Sequence, residues 1–213
     1  MKKKQYLYTG LITFCILAVV FIFKGIFPFG NNSVIWGDMH DQITAFYYHF
    51  YDSVYSNKSL LVDYTTSGGI NFYGILAYYI LSPMSLLMLI IPRDYIYMMV
   101  SVTVLLKFVA CSITCLYFIR KYFDKIPPML QSLLAITYAF SGYALVMYQI
   151  TPWIDAMYMF PLLMVGLKKL LDLEKPTFYI VTLTISLVFS FYVTVMSLMF
   201  IFLASSHVAD SNY

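Results

Sequence analysis

Asp38, His40, Asp41, His49 and Asp52 crowd into one short stretch of a chain that is 62% hydrophobic and only 11% charged. On a helix turning 100° per residue, Asp41, Gln42, Ala45, His49 and Asp52 fall within about 60° of Asp38. Ile43, Phe46, Tyr47, Phe50 and Val54 gather opposite. A carboxylate held at lipid-headgroup level can take a proton from a hydroxyl acceptor while a lipid-linked donor lies alongside. Asp38 and Asp41 are three residues apart on one face, so ionising both raises the proton affinity of one, which suits a base working near neutral pH. A surface helix that merely needs a wet side shows the same pattern. Acids in a first helical turn also suit the positive end of the helix dipole, so both readings stay open here.

Other polar residues could join such a site. Asp155, in "QITPWIDAMYMF", is expected at the surface because burying it mid-bilayer costs ~2.5 to 3.5 kcal/mol on insertion scales. With Asp38 it is the pair to hold a divalent metal if the reaction uses one, although no metal requirement can be read from these residues. His49 lies on the wet face. Arg93, at the end of an apolar run, could neutralise a phosphate leaving group or simply anchor to lipid phosphates. Lys107 stands about 18 Å into its apolar run. It therefore needs a partner, which is expected outside this chain because candidates within it are few. Cys15, Cys111 and Cys115 lie in apolar runs, where thiols act as small packing groups.

The elements that must position these residues are membrane helices. Apolar runs at about 7–27, 95–119, 129–150, 157–171 and 178–203 approach or exceed the ~20 residues that cross a ~30 Å hydrocarbon core. The fold class expected is all-α integral membrane: a polytopic helical bundle with an amphipathic helix in the first extracytoplasmic loop. That loop covers residues 28–94, and its apolar run 75–92 is expected to be re-entrant or interfacial, bent at Ser82-Pro83. Lys2, Lys3 and Lys4, then Arg120, Lys121 and Lys125, then Lys168, Lys169 and Lys175 share one side only if 75–92 does not cross. That side is then cytoplasmic, with the N-terminus on it. The net charge of +3 thus reflects membrane anchoring and implies no nucleic acid. The tail 204–213 lacks a basic flank or aromatic anchor and reads as a truncated end.

The order "GDMHDQ", "AFYYHFYDSVYSN", "TTSGGINFYGILAYYILSPMSLLMLIIP", a Lys-bearing span and "WIDAMYMFPLLMVGLKKLL" resembles the N-terminal part of the bacterial YfhO-type membrane proteins. The resemblance covers about residues 5 to 203. It implies a bundle like the GT-C class of glycosyltransferases, in a family whose proteins are several times longer. It further implies transfer of a sugar, outside the membrane, from a polyprenyl-phosphate donor to an envelope polymer such as teichoic acid. In that class an aspartate just after the first span is the usual catalytic residue. Asp38 occupies the place with Asp41 one turn on, and Asp155 matches a second, assisting acid. By the same resemblance the chain alone is expected to be inactive. Two other classes remain open: a lipid or polymer transporter or flippase component, with Lys107 and Asp155 along its pathway, and a non-catalytic partner of a glycosyltransferase.

Overall fold

The computed structural model describes the backbone of residues 2–64 and 68–210, and side chains over 3–64 and 68–202. Among the described residues nine α-helices follow in order: α1 (Lys2–Lys24), α2 (Thr44–Tyr55), α3 (Phe72–Ile75), α4 (Ile96–Tyr122), α5 (Pro128–Ala139), α6 (Gly142–Met147), α7 (Thr151–Leu171), α8 (Thr177–Phe189) and α9 (Phe191–Asp210). A single π-helical turn, Met39–Ile43, leads into α2. Short turns at Leu76–Ile80, Ser85–Leu89 and Arg93–Tyr95 fill the stretch before α4. Among the described residues, extended pairing is limited to two isolated bridges, Ile26 with Asn32 and Asp63 with Ile70.

Among the described residues three helical stretches are long and apolar enough to cross a membrane: Lys3–Lys24, Arg93–Tyr122 and Pro128–Met147. Their outward surfaces are apolar, with Leu7, Leu11, Val19, Ile22, Leu133 and Leu134 exposed, as a lipid-facing bundle requires and a water-facing one avoids. The inner seams use small residues. α1 buries Thr9 and Thr13 and brings Gly10 so close to α4 that a Cβ there would meet the Ile113 side chain at 3.2 Å. Close approach through small side chains is how helices associate where lipid is as apolar as the helix surface. α4 is the central post, packed on α1, α5 and α7, and it also touches α2.

α7 carries Pro161 in its interior. Proline has no N–H, so the carbonyl four residues back, that of Met157, loses its helical donor. The Tyr138 hydroxyl of α5 supplies the missing bond, donating to Met157 O at 2.7 Å. Tyr138→Phe is therefore expected to leave a buried carbonyl bare and to cost about 1 to 3 kcal/mol, read as a lower melting temperature in detergent. An unchanged melt would mean that another donor reaches Met157.

The apolar run 178–203, expected as one span, is two helices. α8 ends at Ser190, whose φ of −159° and ψ of 79° break the helical path. The Thr194 hydroxyl reaches back to Ser186 O at 2.9 Å, tying the two helices across the break. The fourth run begins earlier than 157: α7 starts at Thr151, and at 1.5 Å per residue its 21 residues span about 31 Å. In the tail, residues through Asp210 continue α9, and 211–213 lie outside the described residues, as do 65–67.

Contacts fix the polarity of the bundle. Gln5 of α1 donates to Pro128 O at 2.8 Å, and Tyr122 of α4 donates to Val165 O of α7 at 3.2 Å. The start of α1, the end of α4, the start of α5 and the end of α7 thus meet, and all three basic clusters lie at one end. Residues 28–64 and 68–94 lie at the other end. There they do not float on the bundle. Met39, Ile43, Tyr47, Phe50, Phe72, Leu76, Ile80 and Met88 share one core with α4 and α7 residues such as Val100, Val104, Ile154 and Met157.

Candidate functional site

The segment that delivers Asp38 is pinned along its length. Val34 N–H donates to the Ser101 hydroxyl of α4 at 3.1 Å, and the Tyr148 hydroxyl donates to Val34 O at 3.3 Å. The Trp36 ring meets Tyr148 with centroids 6.1 Å apart. Gly37 then turns the chain through the left-handed region at φ 51°, a conformation that costs any residue with a Cβ. Asp38 N–H donates to Gln149 Oε1 at 3.3 Å, and the side chain of Asp38 is exposed. Beside it the Tyr79 hydroxyl donates to Gln42 Oε1 at 3.2 Å. Burial, then neighbouring Tyr78 and the charge of Asp38, raise the Tyr79 phenol above its ordinary value, so it stays a donor.

The residues expected opposite the wet face go inward, though not all of them. Met39, Ile43, Tyr47 and Phe50 are buried against the chain's own core, whereas Val54 is 41% exposed near the end of α2. α2 stops there in a left-handed cap: Asn57 takes φ 51° and Lys58 N–H returns to Ser53 O at 3.0 Å. The greasy face of α2 is thus occupied by protein rather than laid on lipid.

Most of the other acids at this end are engaged, Asp94 excepted. Asp41 Oδ1 lies 2.8 Å from His40 Nδ1, with both side chains exposed. His49, expected on the wet face, stands with Nε2 3.1 Å from Asp63 Oδ2 and its ring edge-on to Phe72 at 4.5 Å. Arg93 grips Asp52 with two parallel bonds of 2.7 and 2.9 Å and stacks over Tyr48. The guanidinium fork, assigned above to a leaving group, is spent on this carboxylate. The hydrogen bonds from Arg93 hold the Asp52 carboxyl below the usual carboxylate range. A depressed folded-state value contributes stability at neutral pH that is lost as pH falls through it. For a pair this exposed, the contribution is small.

Two expectations are overturned deeper in. Lys107 has its partner inside the chain: its ammonium lies 2.7 Å from Asp155 Oδ2, with each side chain 1% exposed. Asp155, expected at the surface, is buried because α7 starts at Thr151 and carries it into the bundle. Lys107 Nζ also donates to Thr151 O at 3.1 Å, and the Ser82 hydroxyl donates to Asp155 Oδ1 at 3.1 Å. The Thr151 hydroxyl lies 3.1 Å from Tyr47 Oη, which lies 2.9 Å from the Ser85 hydroxyl. A buried charge must be paired and hydrogen-bonded, and this network meets that demand while joining α2, α4, α7 and the Ser82–Ser85 bend.

The metal reading with Asp38 and Asp155 finds no support in the geometry. The Lys107 ammonium occupies the position a cation would take on Asp155, and among the described residues no three His, Cys, Asp or Glu side chains converge. Sequence reasoning missed Ser82, Thr151, Tyr47 and Gln149. In the sequence Ser82 signals only a bend before proline, and nothing in their spacing marks the other three.

A chain whose described residues build a helical bundle, with three helices among them fit to span a bilayer, apolar outward surfaces and an end layer sharing its core, is a membrane protein. It belongs to the family described as bacterial membrane protein YfhO, whose pattern matches residues 10–208. No curated protein and no solved structure matches it.

Proposed function

We propose that the protein works in sugar transfer from a polyprenyl-phosphate donor to an envelope polymer such as teichoic acid, on the face of the membrane opposite the basic clusters, with Asp38 as the base. The observation that carries this reading is where the acidic charge remains available. Asp41, Asp52, Asp63 and Asp155 each face a cationic or imidazole group, whereas Asp38 is exposed, makes no ion pair among the described residues and sits on a backbone clamped to α4 and to the Tyr148–Gln149 turn before α7. In the step proposed, Asp38 takes the proton of an acceptor hydroxyl as its oxygen attacks the anomeric carbon, and the carbon–oxygen bond to phosphate breaks to release polyprenyl phosphate. Asp41 supports from one turn on.

The arrangement of the bundle is consistent with a cytoplasmic N-terminus, since basic residues collect on that side of membrane proteins. A transport reading would place Lys107 and Asp155 along a wet path, yet both are sealed by one another and by Ser82 and Thr151. Vesicles carrying the protein and a labelled polyprenyl-phosphate sugar should move label into polymer in proportion to the protein present. Label that crosses the bilayer still attached to its lipid would instead identify a flippase and end the transferase reading.

A further inference from the structure

At the end of the bundle away from Asp38, α1, α4 and α5 border an open cleft of about 520 Å³ lined by Lys4, Gln5, Tyr8, Arg120, Pro128, Met129 and Ser132. Its polar wall is closed on itself. Gln5 Nε2 donates to Pro128 O at 2.8 Å and lies 3.2 Å from the Ser132 hydroxyl, which itself donates to Pro128 O at 3.2 Å. The Arg120 guanidinium stands 5.0 Å over the Tyr6 ring, which fixes its direction. Among the described residues, two cationic side chains line this cleft and no acidic one does. Lys4 is exposed and makes no ion pair among the described residues. From the cleft the surface continues along α1 and α5 as bare hydrocarbon: Tyr8 is 57%, Met129 87% and Leu133 56% exposed.

We infer that this cleft binds one anionic phospholipid, its phosphate between Lys4 and Arg120 and an acyl chain along the Tyr8, Met129 and Leu133 surface. The charge selects an anion, and the apolar surface beside it selects one attached to a chain. Tyr8 brings an amphipathic ring to the boundary where such rings settle. Basic pockets between spans at a membrane surface bind anionic headgroups, each cation near the surface contributing about a fivefold gain in affinity. The site is independent of the transferase reading, because it shares no residue with the Asp38 end.

Phosphatidylglycerol and phosphatidylcholine offered in equal amounts to the detergent-solubilised protein give the test, with retained lipid counted by native mass spectrometry. Wild type should hold phosphatidylglycerol preferentially, and Lys4→Gln with Arg120→Gln should lose that preference by about 25-fold. Lys4→Gln alone, at an exposed position, should lose about fivefold without a change in melting temperature, and Arg120→Lys should keep most of the preference. Equal retention of both lipids by wild type, or a double variant that selects like wild type, would overturn the proposal. Displacement of the lipid by millimolar inorganic phosphate would overturn it too, by showing that the cleft reads a free anion.

Discussion

Lys107→Met is expected to cost about 3 to 5 kcal/mol and most of the protein's accumulation in the membrane, the cost of breaking a buried ion pair by removing one partner. The substitution preserves bulk and suits lipid, so on hydropathy alone it should help the helix insert. The damage comes from what it leaves behind: an Asp155 carboxylate 1% exposed with the Ser82 hydroxyl as its remaining donor among the hydrogen bonds described above. Asp155→Asn should be milder, since the ammonium keeps Thr151 O and gains a neutral amide oxygen. Lys107→Met combined with Asp155→Leu should recover most of the loss, because a well-packed apolar pair can match a buried salt bridge. Melting in detergent and membrane abundance read all three. A Lys107→Met protein that melts like wild type would show that the pair holds nothing together.

The second large effect is on chemistry and leaves the fold intact. Asp38→Asn keeps size and hydrogen bonding but cannot accept a proton, and loss of a positioned general base removes about 10² to 10⁴ of rate. Because Asp38 is exposed, its abundance and melting should not change. Asp94→Asn, also exposed and without an ion pair among the described residues, is the control for a lost surface charge. Asp52 does not serve that purpose, since its substitution would release Arg93. Gly37→Ala provides an independent arm: a Cβ there collides with Gln149 Oε1, the acceptor for Asp38 N–H, at a left-handed φ. It should lower transfer while leaving the carboxylate present. Normal envelope transfer by Asp38→Asn would reduce the whole stretch to a structural helix.

Much of the framework could be read from the residues, because the signals for it are local. Runs of about twenty mostly apolar residues mark α1 and the body of α4 whatever surrounds them, and a Gly followed by acids marks a helix start. What escaped depends on pairs far apart in sequence. Lys107 announced that it needed a partner, but Asp155 was placed at the surface on the cost of burying a lone carboxylate, a cost the lysine offsets. Each residue looked unaccompanied because the other was read by itself. The break at Ser190 was hidden for another reason: the run around it is uniformly apolar, and Ser186, Ser190 and Thr194 hydrogen-bond locally rather than interrupt the hydropathy. Val54 was misassigned because a helical wheel does not know where the left-handed Asn57 ends the helix.

The Lys107–Asp155 pair also sets a clock on synthesis. The two residues are 48 positions apart, and Ser82 precedes Asp155 by 73. At ~5 to 20 residues per second, α4 emerges with an uncompensated ammonium for roughly 2 to 10 s before its carboxylate is made. Over ~4 to 15 s the outer segment likewise has no α7 to dock on. A lone lysine at the middle of a bilayer costs ~2.5 to 3.5 kcal/mol even by the mildest scale. During that interval α4 is better retained beside the insertion machinery, or beside α1, than released to lipid. Arrest of the ribosome once Lys107 has left the exit tunnel but Asp155 has not should therefore trap α4 next to a protein neighbour, and arrest after α7 has emerged should set it free.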